Sequence, residues 1–205
     1  MNAANNGQLP LRERNRLRTR NDILDAAAHL LSEKGYAETT LEELSQRAGL
    51  SRGTLYAHFP QGRDEIVQEV YLRIADGVYL HGVTLRDDST NIIDRITALA
   101  RALVEATSRP DGRFYGIMGA DIVPILSRVM GGTSRSFEAL MKQDLHEAQD
   151  AGLLPPSAPV DAVATALTGA IRASGAAAAL DPATAENHIE AVRYIARGLL
   201  AAAPV

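Results

Sequence analysis

Ser51-Arg52-Gly53-Thr54-Leu55-Tyr56-Ala57-His58-Phe59 concentrates the side chains of this chain that are best suited to chemistry. Wound as a helix, the segment puts Leu55 and Phe59 on one side and Arg52, Thr54, Tyr56, Ala57 and His58 on the other. These outer groups are donors, acceptors and small side chains, a set matched to phosphates and base edges. The Arg52 fork can take a guanine O6/N7 pair or a phosphate. The plain alternative is a solvated arginine. Gly53 permits close backbone approach, and Thr54 can meet a thymine methyl or a phosphate. Tyr56 and His58 can bond phosphate oxygens, or they can pack against neighbouring helices.

Such side chains need a frame, and the flanking residues supply one. Thr40 reads as an N-cap with Glu43 completing a capping box. Leu44 and Ala48 share a face of the helix that follows. Gly49 supplies a left-handed turn, and Ser51 restarts the chain as the next N-cap. The pattern is a helix-turn-helix. Upstream, Ile23, Ala27, Leu30 and Leu31 recur at helical spacing, and the helix is expected to end at Lys34-Gly35-Tyr36. Downstream, Phe59-Pro60-Gln61-Gly62-Arg63-Asp64 reads as a turn opening another helix.

Taken together, Ile23 to Val70 resembles the DNA-binding domain of the TetR family of bacterial transcriptional regulators. The residues that carry the resemblance are ILDAAAHLLSEKGY, TTLEELSQRAGLSRGTLYAHF and the cation opening the fourth helix. One departure stands out. The common pattern has lysine three residues after the phenylalanine, whereas here Gly62 occupies that place and Arg63 follows. The resemblance implies phosphate contacts for Thr40 and Ser51 beyond their capping roles, and an Arg63 contact whose geometry the longer turn leaves open.

At 205 residues the chain can hold one large core or two modest domains. Strand signals are scarce and alanine and leucine dominate, so the fold is expected to be all-α, with about nine helices. Cysteine is absent, which excludes disulfides and thiolate metal sites. Gly131-Gly132 belongs to no phosphate-cradle motif, His146-Glu147 lacks the second histidine of a zinc site, and no Gly-x-Ser-x-Gly elbow occurs. Neither a catalytic set nor a cofactor is expected. No run approaches a membrane span and the start has no apolar core, so no membrane association and a cytoplasmic location are expected. The net charge of −4 divides unevenly: residues 1–63 carry nine Lys or Arg against seven Asp or Glu, and the remainder 12 against 18. An acidic second part does not bar DNA binding, which depends on local cations.

Residues 1–15 are expected to form a disordered arm, 16–63 the helix-turn-helix domain, and 64–205 a ligand-binding and dimerisation domain. Arg12, Arg14, Arg16, Arg18 and Arg20 alternate through the arm and early helix. They either follow the DNA backbone or solvate a frayed helix start, with Arg18 and Arg20 the better placed for phosphates. A helix from Asp64 to about Leu80, a polar loop at 81–90, and helices at 91–107, 111–130 (interrupted near Gly119, kinked at Pro124) and 133–151 follow. Two alanine-rich helices close the chain, at about 160–178 and 183–202. Their stripes, Val160, Val163, Leu167, Ile171 and Ile189, Val192, Ile195, Leu199, either bury within their own domain or, as the resemblance implies, form a homodimer interface.

The resemblance also implies a small-molecule effector in a helical cavity. Phe114, Tyr115, Met118, Ile122, Met130, Phe137 and Met141 form an aromatic and methionine-rich set suited to an adaptable apolar site, or to ordinary core. Thr168 and Arg172 can fix a ligand's polar end, or face solvent. The expected protein is thus a homodimeric repressor of a palindromic double-stranded operator, released by an apolar or amphipathic ligand. The rivals are the same reader governed by a protein partner or acting constitutively, and an all-α enzyme.

Overall fold

In a computed structural model, which describes residues 9–201, ten α-helices and two short 3-10 turns make up the regular structure. They are α1 (Leu11–Glu38), α2 (Leu41–Ala48), α3 (Arg52–His58), α4 (Arg63–Asp87), α5 (Ile92–Ser108), α6 (Arg113–Gly116), α7 (Val123–Leu126), α8 (Gly132–Asp150), α9 (Val160–Leu180) and α10 (Ala185–Ala201). The all-α expectation holds. Residues 1–8 of the expected arm and the far end of the last expected helix lie outside the described residues. Residues 11–15, expected to be unstructured, instead begin α1.

The local signals work as read. Gly35 breaks the helical path at φ 78°, where a side chain would be strained. Thr40 and Glu43 form the reciprocal capping box, Gly49 ends α2 in the left-handed region, and the Ser51 hydroxyl accepts the Thr54 N–H. Each such cap is worth about 1 kcal/mol. With seven residues, α3 is too short to persist alone. Packing holds it: Leu55, Phe59 and Leu44 are buried with Ile23, Leu31, Ile66 and Val70 of α1 and α4.

The second core packs α5 between α4, α8, α9 and α10 around Ile96, Leu99, Leu103, Met141, Leu145, Leu167 and Val192. Here α4 runs seven residues beyond its expected end, through the predicted loop. Two contacts carry it onward. At Gly82, a Cβ would lie 2.7 Å from the Phe137 ring, so glycine lets α4 sit directly on α8. One turn later, Arg86 donates to the fully buried Asp144 of α8 at 3.0 and 2.7 Å, and Arg95 of α5 adds a third bond at 3.1 Å.

The expected 111–130 helix is replaced by α6, a 3-10 turn at Ala120–Ile122 and α7, which accounts for ten α-helices rather than nine. Gly119 takes extended backbone, and Pro124 fits the first turn of α7. By length and composition alone α9 could cross a bilayer, contrary to the sequence reading. It packs instead against α5, α8 and α10. Small residues permit this: Gly175 lies so near Leu103 that a Cβ would meet it at 2.8 Å.

Candidate nucleic-acid interface and effector cavity

Capping, the glycine turn and the buried Leu55–Phe59 pair leave one face of α3 outward. Ser51, Arg52, Gly53 and Tyr56 are exposed, Thr54 and His58 partly so, and Thr40 lies exposed at the start of α2. Arg52 pairs with Glu42 of α2. Tyr56 is 48% exposed, and its ring edge lies beside Gly62, where a Cβ would come to 3.4 Å. Arg18 is exposed on α1.

Two of the expected contact residues are already engaged. The Arg20 guanidinium lies 4.1 Å over the Phe59 ring, donates to the His58 carbonyl at 2.6 Å and pairs with Glu69 at 2.7 Å. It joins α1, the end of α3 and α4. Arg63 lies 4.1 Å over the Tyr36 ring and donates to the Tyr36 hydroxyl at 2.6 Å and the Thr39 carbonyl at 3.1 Å. The extra residue in the turn, with Gly62 at φ 73°, sets this cation against α1 instead of aiming it outward. His58 carries a buried Nδ1 without a partner. Burial first, then the neighbouring Arg16 and Arg20 charges, hold its pKa below the ordinary value, so the ring stays neutral.

A cavity of about 690 Å³ lies between α4, α5, α8, α9 and the α6–α7 segment. Tyr115, Met118, Met130, Phe137, Thr168 and Arg172 line it, as anticipated. Phe114 and Ile122 do not, because both are buried against the helix-turn-helix core; Met141 belongs to the second core. Lining residues that the sequence did not signal include Tyr71, Leu103, Thr107, Thr133 and Ser134. Tyr71 and Tyr115 pack with centroids 4.9 Å apart, and the Tyr115 hydroxyl donates to Thr133 at 3.1 Å. Burial pushes the Tyr115 phenol far up, so it acts only as a neutral hydrogen-bonding group.

Comparison with known proteins agrees with this geometry. A family model for "Bacterial regulatory proteins, tetR family" matches residues 23–70, the unit from α1 into α4. The HTH-type transcriptional repressor KstR2 of Mycolicibacterium smegmatis is 29% identical over 87 residues, 42% of each chain. A solved TetR-family regulator from Rhodococcus sp. superposes with a TM-score of 0.74 at 17% identity, covering 89% of this chain and 99% of that one. The KstR2 structure from Mycobacterium tuberculosis gives 0.66 at 22%, covering 94% and 96%.

Residues 23–70 form a TetR-type helix-turn-helix domain.

The matched stretch spans less than half the length of the curated KstR2 relative, while the structural likeness extends across the fold. In this chain, two elements connect cavity and helix-turn-helix. On α4, Val67 and Val70 are buried in the DNA-binding core while the next residue, Tyr71, lines the cavity. On α6, Phe114 enters that same core while Tyr115 and Gly116 line the cavity.

Proposed function

We propose that this chain is a homodimeric TetR-family transcriptional repressor that binds a palindromic operator in the cytoplasm and leaves it when a small apolar or amphipathic molecule fills the cavity. The observation that carries the reading is the capped, exposed face of α3 within residues 23–70. Arg52, Gly53, Thr54, Tyr56 and His58 face the duplex, and Arg18, Thr40 and Ser51 add backbone contacts. Arg20 and Arg63 act as positioning residues, given their engagement within the domain.

The dimer uses α9 and α10, through a face that shares only Ile195 with the stripes read in the sequence. Val160, Leu167, Ile171, Ile189 and Val192 are buried within their own chain. Ala162, Ala166 and Ala173 are exposed on α9, and Leu180, Tyr194 and Ile195 are 67%, 69% and 45% exposed. This small-residue face flanked by large apolar groups suits close packing of a second copy. Two readers then meet half-sites at a fixed separation of about one helical turn of DNA, roughly 34–36 Å, or a multiple.

Release follows from differential affinity: the ligand binds better to a state whose α3 helices are wrongly spaced. Tyr71 of α4 and Tyr115-Gly116 of α6 transmit the change. The 690 Å³ cavity favours this over a constitutive or protein-controlled reader. Sedimentation of the wild-type chain and of the Tyr194→Glu, Ile195→Glu double variant tests the assembly. A wild-type dimer and a folded, monomeric variant with weakened DNA binding are expected. A monomeric wild type that binds DNA fully would overturn it.

A further inference from the structure

The cavity lining carries positive and no negative charge within an otherwise acidic domain. The lining drawn from α7, α8 and α9 comes from residues 123–137 and 168–176, which contain Arg128, Arg135 and Arg172 and no aspartate or glutamate. Arg172 is the one charged side chain lining the cavity. Among the described residues no carboxylate lies within ion-pair reach of it, whereas nearby Lys142 is held by Glu138 and Asp161.

The register of α8 on α9 places Arg172 more closely. Thr165 donates to Glu138 at 3.2 Å and Lys142 pairs with Asp161 at 2.9 Å, so the helices run antiparallel. Carried one turn further, Ser134 faces the Thr168–Gly169 step, and Gly131 comes opposite Arg172. That end of α8 starts at Gly131 in the left-handed region without a side-chain cap, and Gly131, Thr133 and Ser134 all line the cavity. The same lining includes a large apolar and aromatic group: Leu103, Phe137, Tyr71 and Tyr115.

We propose that the cavity takes an amphipathic anion: an apolar body bearing one carboxylate or phosphate group, held at its charged end by Arg172 beside the start of α8. The proposal rests on the ligand-controlled reading above. Arg172 supplies the charge-assisted bonds, and the apolar and aromatic lining buries the body. No carboxylate lines the cavity, which disfavours a cationic ligand.

The test uses a matched pair of fluorescent probes on the full chain. One is 8-anilinonaphthalene-1-sulfonate, and the other is N-phenyl-1-naphthylamine, the same ring body without the anion. Arg172→Gln is expected to weaken the sulfonate by about ten-fold or more, the size of a lost charge-assisted bond. It should leave the neutral probe unchanged, which also reports that the variant is folded. Arg172→Lys should restore part of the loss. Dodecanoate and dodecyl phosphate, tested as displacers of the sulfonate, separate carboxylate from phosphate as the preferred head. If Arg172→Gln affects both probes equally, or neither, the anion proposal is overturned while the cavity stands as a ligand site. If no probe or displacer binds the wild type, the ligand-controlled reading falls with it.

Discussion

The backbone N–H of Phe114 donates to the Ser32 hydroxyl at 3.0 Å, a buried hydrogen bond between α6 and α1. It fixes α6, whose next residues line the cavity, to the first helix of the DNA-binding unit. Both neighbouring cores meet here, since Phe114 is buried with Leu30 and Leu31 while Tyr115 faces the cavity. Any movement of α6 would therefore reach α1 directly.

Ser32→Ala should loosen that link. The orphaned N–H costs about 1–3 kcal/mol of stability. More tellingly, operator affinity without ligand should persist while ligand-driven release weakens. Operator binding titrated with and without a cavity ligand checks this, and an unchanged ligand response would assign transmission to α4 alone.

Arg18 and Arg20 should separate structure from binding. Arg20→Ala removes a stacking contact, a carbonyl bond and an ion pair at once, and should destabilise the domain by about 1–3 kcal/mol in urea unfolding. Arg18→Ala should leave the urea midpoint alone, lower DNA affinity and reduce the salt slope by roughly one.

With Arg52 as a DNA contact, as proposed, its pairing with Glu42 would compete with DNA. Glu42→Ala should therefore tighten operator binding, by less than about five-fold because an exposed pair is worth roughly 0.2–1 kcal/mol. Arg52→Ala should weaken it. Fluorescence anisotropy at a stated salt concentration reads both, and equal shifts in one direction would refute the competition.

The helix-turn-helix was legible because its signals are local: Thr40 with Glu43, Gly49, Ser51 and the Leu55–Phe59 spacing each act within a few residues. The roles of Arg20 and Arg63 were not, since stacking on Phe59 and Tyr36 depends on how three helices meet. The extension of α4 was hidden for the same reason. His81 to Asp87 looks polar and loop-like, and Gly82 under Phe137 and Arg86 on Asp144 tie it to α8 as helix. The apolar stripes of α9 and α10 gave the helices correctly but not which face stays free. The six expected residues that line the cavity were found because aromatic, methionine and lone polar residues stand out; Leu103 and Thr107 look like any core positions.

Asp144 carries the buried polar link between α4, α5 and α8. Asp144→Ala leaves Arg86 and Arg95 without their shared carboxylate and should cost about 3–5 kcal/mol in chemical denaturation. A loss within about 0.5 kcal/mol would show that water or Glu147 replaces it.

His58 should make stability depend on pH. Its folded pKa is lowered, so the unfolded chain takes up the proton first as pH falls. The stability that the neutral ring contributes is complete above the unfolded value of about 6.5 and is lost as pH falls through it toward the folded pKa. Urea midpoints of the wild type should fall from about pH 7.5 to pH 5, and His58→Gln should flatten that slope. Parallel slopes would remove His58 as the cause. The lowered carboxylates Glu33 and Glu43, paired with Arg47 and Lys34, act at more acidic pH.

The most direct measurement is selection of bound fragments from genomic DNA by the purified chain, at about 150 mM salt because phosphate contacts make affinity salt-dependent. We expect a palindrome with a fixed half-site spacing, enriched by the wild type and lost with Arg52→Ala and Tyr56→Ala. Enrichment no greater than for bulk DNA, or a selected site indifferent to both substitutions, would contradict α3 as the reading helix.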